Sequence, residues 1–243
     1  MLREMATRFG SSPGGYLWAL VQPMGWIVIL AVAFGLVARA PSLGNSFILF
    51  YATGFLPFNI YNSVQPTVMR SLNFSKPLLK YPAVTWIDAI LARFLLNTLT
   101  ETLVFFLLIF LIRAVVGINT PVDFLLLLQS IGLAAALGLS VGTLTCFLLL
   151  RLPVFGQIWP ILMRPLFLIS GVLFMYEDLP RVAQDVLIWN PLMHITSIAR
   201  AGMYPTYSAH FVSYPFIIAC SLIPLFFGLL LLRKHSRELL TKN

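Results

Sequence analysis

The chain has 243 residues, 59% hydrophobic and 10% charged, with a formal net charge of +8. An average soluble domain carries about 25% charged residues, so this composition excludes a soluble globular protein. Its two longest polar segments, residues 71–84 and 177–209, are too short to bury a core of their own.

The positive charge does not point to nucleic acid. Apart from Arg39, Arg113, Arg164, Arg181 and Arg200, the Lys and Arg residues fall in three places: the amino-terminal arm, the loops after the second and fourth apolar stretches or the adjoining stretch ends, and the carboxyl tail. An even number of crossings puts both termini on one side of a bilayer, and the positive-inside bias makes that side cytoplasmic.

At the amino terminus, Leu2, Met5 and Phe9 lie opposite Arg3, Glu4 and Arg8, which predicts an interface helix within residues 2–12. Six apolar stretches follow, at residues 17–38, 47–69, 94–112, 124–150, 154–176 and 211–232. A bilayer core of about 30 Å needs about 20 helical residues to cross it. Helices are the open structures that satisfy their own main-chain groups in lipid. The expectation is therefore an all-α integral membrane protein, a single transmembrane domain over residues 1–243 with six transmembrane helices. The first stretch is too long for a cleavable signal core, and Pro41 follows the small-residue triplet that would mark a cut.

The second stretch carries Phe47, Tyr51, Phe55, Phe58, Asn62, Gln65 and Met69 at spacings of three or four, hence on one helical face. Two readings fit. A mixed aromatic and amide face can pass along the C–H faces and hydroxyls of a sugar, or it can pack against neighbouring helices through amide hydrogen bonds. Residues 71–84 read as a short cytoplasmic amphipathic element, with a helical turn starting at Pro77 and Leu78, Leu79 and Tyr81 available to a partner.

The third stretch places Arg93, Asn97 and Glu101 on one face, and the fifth places Arg164 at mid-length. A charge at mid-bilayer costs at least about 2.5 kcal/mol, so these groups face protein or a water-filled path. Arg164 attracts an anionic substrate, pairs with Glu101, or snorkels to the cytoplasmic headgroups. In the fourth stretch, Gly138 and Gly142 have the spacing that lets a second helix approach closely. Residues 177–209 read as outer helices that dip into the membrane.

Catalytic and cofactor signatures do not support an enzyme. No glycine precedes a lysine, so a phosphate-cradling GxxxxGK[ST] loop is absent, and there is no HExxH or CxxC. The eight acids are dispersed, whereas transfer or hydrolysis within the membrane needs paired acids or a nucleophile with its base.

The segment Arg8-Phe9-Gly10-Ser11-Ser12-Pro13-Gly14-Gly15-Tyr16-Leu17-Trp18-Ala19-Leu20, with Pro23 after it, resembles the opening of permease subunits of ABC polysaccharide exporters. Pro160-Ile161-Leu162-Met163-Arg164-Pro165-Leu166-Phe167-Leu168-Ile169-Ser170-Gly171 and Trp189-Asn190-Pro191-Leu192-Met193-His194 resemble the fifth span and outer loop of that family. Within it, the capsular polysaccharide export permeases are most similar, and O-antigen and teichoic acid permeases share much of the pattern.

The resemblance implies a bacterial inner-membrane subunit that is not itself an enzyme. Its partners would be a second copy of itself, a separate ATP-binding subunit that holds ATP and Mg, and a periplasmic membrane-fusion or polysaccharide co-export protein. The cargo implied is a lipid-linked acidic polysaccharide. The resemblance makes Ser75, Lys76, Pro77, Leu78, Leu79, Lys80 and Tyr81 the coupling element that meets the ATPase, and 177–209 a re-entrant exit region. It places Tyr51, Phe55, Phe58, Asn62, Gln65, Arg164, Phe167 and Phe174 along the substrate path, with Arg93 and Glu101 as structural or pathway charges.

Overall fold

A computed structural model describes residues 17–80 and 84–241, and among them every regular element is helical. In chain order these are α1 (Leu17–Gly35), α2 (Phe47–Met69), α3 (Ser71–Ser75), a 3₁₀ turn (Leu78–Lys80), α4 (Trp86–Val116), α5 (Phe124–Arg151), α6 (Phe155–Ile169), α7 (Arg181–Leu187), α8 (Pro191–Met203) and α9 (Tyr214–Thr241). The interface helix expected within residues 2–12 lies outside the described residues, as do Tyr81 and Pro82 of the coupling element.

Among the described residues, four helices are long and apolar enough to cross a membrane: α1, α4, α5 and the Tyr214–His235 part of α9. The second and fifth predicted spans differ from these in instructive ways. α2 has 23 residues, but Asn59, Asn62, Gln65 and its prolines dilute its apolar character. It is instead the centre of the bundle, packed by α5, α4, α1 and α8. α6 is apolar, but its 15 residues reach only about 22 Å at 1.5 Å per residue.

Local chemistry sets where the helices begin and end. α4 starts at Trp86, eight residues before the predicted span, because Thr85 and Asp88 form a reciprocal capping box. The Asp88 carboxylate accepts from the Thr85 N–H at 2.9 Å, and the Thr85 hydroxyl accepts from the Asp88 N–H at 3.3 Å. Asp123 caps α5 by accepting from the Leu125 and Leu126 N–H groups at 2.9 and 3.2 Å. α6 stops at Ile169, short of the predicted residue 176, because Gly171 turns the chain with φ +72°. A side chain there would be strained, and its Cβ would also run into Met193. Within 71–84, a helix over Ser71–Ser75 precedes the 3₁₀ turn, so the helical character begins before Pro77 rather than at it.

α2 and α5 approach closely at the predicted glycines. A Cβ on Gly142 would stand 2.7 Å from Val68 Cβ and 2.9 Å from the Gln65 carbonyl, and one on Gly138 would stand 3.0 Å from Val64. Between helices in lipid, such close packing replaces the hydrophobic drive that water supplies elsewhere.

Candidate functional site

α2 presents polar side chains to two different surroundings. On one side α2 meets α4 in a polar seam. Asn59 Nδ2 donates to Glu101 Oε2 at 2.9 Å, Asn97 Nδ2 donates to Ser63 Oγ at 3.1 Å, and Arg93 donates to the Thr67 carbonyl at 3.4 Å. Residues 59, 63 and 67 advance by one turn each, and so do 101, 97 and 93 on the antiparallel partner. The Arg93 guanidinium also lies 4.0 Å from the centroid of the Phe74 ring. Arg93 and Glu101 thus join helices.

On another side, α1, α2 and α6 line a half-open cavity of about 380 Å³. Six of the eight residues expected along the substrate path line it, Phe55, Phe58, Asn62, Gln65, Arg164 and Phe167, and so does Met69 of the α2 stripe. Phe167 of α6 meets Phe55 and Phe58 edge-on, at centroid distances of 6.4 and 5.5 Å. Gln65 serves both readings of the stripe, because it lines the cavity while its Nε2 donates to Thr145 Oγ1 of α5 at 2.9 Å.

Gln22 and Trp26 of α1, Asn59 of α2, Arg70 at the α2 C-cap and Trp159 of α6 line the same cavity without having been expected there from the sequence. Trp159 stacks on Phe155 at 5.4 Å, and its buried Nε1 has no hydrogen-bond partner among the described residues. The titratable residues in the lining are Arg70 and Arg164, with no carboxylate among them. Such a lining offers two guanidiniums, four amides and several aromatic faces, a set suited to an anionic, hydroxylated ligand.

Tyr51 and Phe174 do not line this cavity. They lie around Arg200 of α8, a wholly buried side chain that the sequence reading passed over. Arg200 donates to the Phe174 carbonyl at 3.0 Å and to the Val172 carbonyl at 3.3 Å, and it sits 4.4 Å from the Phe50 ring, which in turn packs edge-on against Tyr51 at 5.2 Å. Burial pulls the guanidinium down to about 10, so it stays charged at neutral pH. Its partners are main-chain carbonyls, which leave no residue signature to find.

His194, on the same helix, is buried between Phe211 and Phe216. The Ser213 N–H donates to His194 Nδ1 at 3.4 Å, which leaves Nε2–H to donate to the Ile188 carbonyl at 2.7 Å. In the coupling segment Ser75 is buried and Lys76, Leu78 and Leu79 are half-buried, while Pro77 is exposed.

Comparison with known proteins adds a second line of observation. The family model described as ABC-2 type transporter matches residues 1–204. The chain is 32% identical to the polysialic acid transport protein KpsM of Escherichia coli over 240 residues, which cover 99% of this chain and 93% of that protein. It is 27% identical to the capsule polysaccharide export inner-membrane protein CtrC of Neisseria meningitidis serogroup B, over 98% of this chain and 89% of the relative. With BexB of Haemophilus influenzae, also a capsule polysaccharide export inner-membrane protein, identity is 25% over the same shares.

Proposed function

Because this chain belongs to the ABC-2 type transporter family, we propose that it is the inner-membrane permease of an exporter of capsular polysaccharide. The observation that carries the reading is the cavity between α1, α2 and α6, with two guanidiniums and no carboxylate among amides and aromatic rings. That lining suits an acidic polymer, and the relatives' shared role in polysaccharide transport supplies the cargo. Aromatic faces meet sugar C–H surfaces, amides exchange hydrogen bonds with hydroxyls, and the guanidiniums attract carboxylate or phosphate at short range, where low dielectric strengthens the attraction.

The fuller reading has six crossings, with α2 and α6 as the spans beyond the four apolar helices, and both termini cytoplasmic. Two copies form the conduit. A separate ATP-binding subunit, holding ATP and Mg, docks on Ser75–Tyr81 and drives the cycle. Residues 177–209 form a re-entrant exit that faces a periplasmic partner, and the cargo is lipid-linked. Support comes from the basic loops, from the half-exposed coupling segment and from the family.

Reconstitution tests this function. The chain, purified with its ATP-binding partner and placed in vesicles, is expected to move lipid-linked acidic polysaccharide across the bilayer only when ATP is present. The chain alone is expected to hydrolyse no ATP. A preference for a neutral O-antigen or a teichoic acid polymer would move the assignment to those related exporters. Glycosyl transfer by the isolated chain would replace it with a transferase.

A further inference from the structure

α6 forms one wall of the cavity, yet none of its 15 residues is buried. Pro160 and Pro165 within it each remove a main-chain donor. At its Phe155 end, Val154 provides no side-chain cap, and the main-chain N–H groups of residues 155–158 donate to carbonyls of the adjoining residues 152–154 rather than to another helix.

The Ile169 end is held quite differently. Four carbonyls there accept hydrogen bonds from the side chains of α8 and its cap. Asn190 Nδ2 donates to Ile169 at 2.8 Å, Thr196 Oγ1 to Ser170 at 3.0 Å, Arg200 Nη2 to Val172 at 3.3 Å and Arg200 Nη1 to Phe174 at 3.0 Å. α2 makes room for this attachment at Gly54, where a Cβ would stand 3.0 Å from Arg200 Nη2 and 3.1 Å from the Val172 main chain. Buried carbonyls without donors are costly. A planar guanidinium is the side chain that can serve two of them at once with a fixed fork.

We propose that Arg200 is a positioning residue: with Asn190 and Thr196 it pins the Ile169 end of α6 to α8, and α6 swings about that pin by its Phe155 end to widen or close the cavity. This inference concerns the cavity assigned to export, but its test reads helix geometry alone, so either can fail without the other.

The test uses the full chain in lipid, carrying Cys146→Ala and Cys220→Ala and diluted with unlabelled chain. Spin labels at Leu128→Cys on α5 are paired with labels at either Leu168→Cys or Ile158→Cys on α6, all exposed positions. The distance distribution from Leu168 is expected to be narrow and that from Ile158 broad. Arg200→Lys, which keeps the charge and loses the fork, and Thr196→Val, which removes one tie, should each broaden the Leu168 distribution about twofold. Ile198→Ala, a truncation of a buried neighbour on α8, should lower the melting temperature and leave that width unchanged. Equal widths at the two ends of α6 would overturn the inference. So would a Leu168 distribution that stays narrow in both Arg200→Lys and Thr196→Val, or that broadens as much in Ile198→Ala.

Discussion

Among single residues, Arg164 carries the sharpest consequence. Glu101 is engaged by Asn59 across the α2–α4 seam, whereas Arg164 lies on the cavity. Arg164→Ala is therefore expected to reduce export at least about tenfold, the loss of one charge-assisted contact of about 1.4 kcal/mol, while folded yield is retained. Arg164→Lys, which keeps the charge without the fork, should fall between. Quantifying surface polymer together with detergent-soluble folded protein checks both. A fall in yield that matches the fall in export would return Arg164 to a structural role.

His194 gives a second residue-scale test. Burial holds its pKa below the ordinary value of 6.5, so the folded state favours the neutral ring, whose Nδ1 accepts from Ser213. Its contribution to stability is fully present above 6.5 and is lost as pH falls from there through the lower folded-state value. The melting temperature of the unaltered chain should drop over that acid range, and His194→Gln should flatten that part of the profile.

At the scale of elements, the contact between α2 and α5 is the most demanding. Gly142→Val would press a side chain onto Val68 and the Gln65 carbonyl. Overpacking of this kind costs about 1–3 kcal/mol, so the variant should melt several degrees lower and show a weakened Gln65–Thr145 bond. Gly132→Val, where a Cβ meets nothing within 4 Å, should be nearly neutral.

The coupling segment is the other element with a clear test. Leu78 and Leu79 are half-buried beside exposed Pro77, so they present part of their surface. A carboxylate introduced at Leu79 and buried under a docked ATPase would stay unpaired. Leu79→Asp should therefore abolish export while the chain still inserts, as measured by membrane yield against surface polymer. Unimpaired export would place the ATPase contact elsewhere.

Across the whole molecule, what could be read from sequence follows from which physics is periodic. The α2 stripe was legible because helical spacing puts Phe55, Phe58, Asn62 and Gln65 on one face, and the helix begins and ends at Phe47 and Met69, the bounds of the apolar stretch. Periodicity does not say which helices close over a face. Gln22 and Trp26 of α1 and Trp159 of α6 therefore joined the cavity only in three dimensions. The end of α6 was hidden because a glycine inside an apolar run does not reveal its φ, and Arg200 because its partners are carbonyls common to every residue.

If this chain carries capsular polysaccharide out of the cell, its removal should leave the polymer inside. Polysaccharide is quantified at the surface and in the interior of cells from which the chain has been removed, and again after its return. Cells without the chain should be bare with polymer accumulated inside, and the unaltered chain should restore surface polymer. Polymer that still reaches the surface at the normal level without the chain would contradict export by this chain.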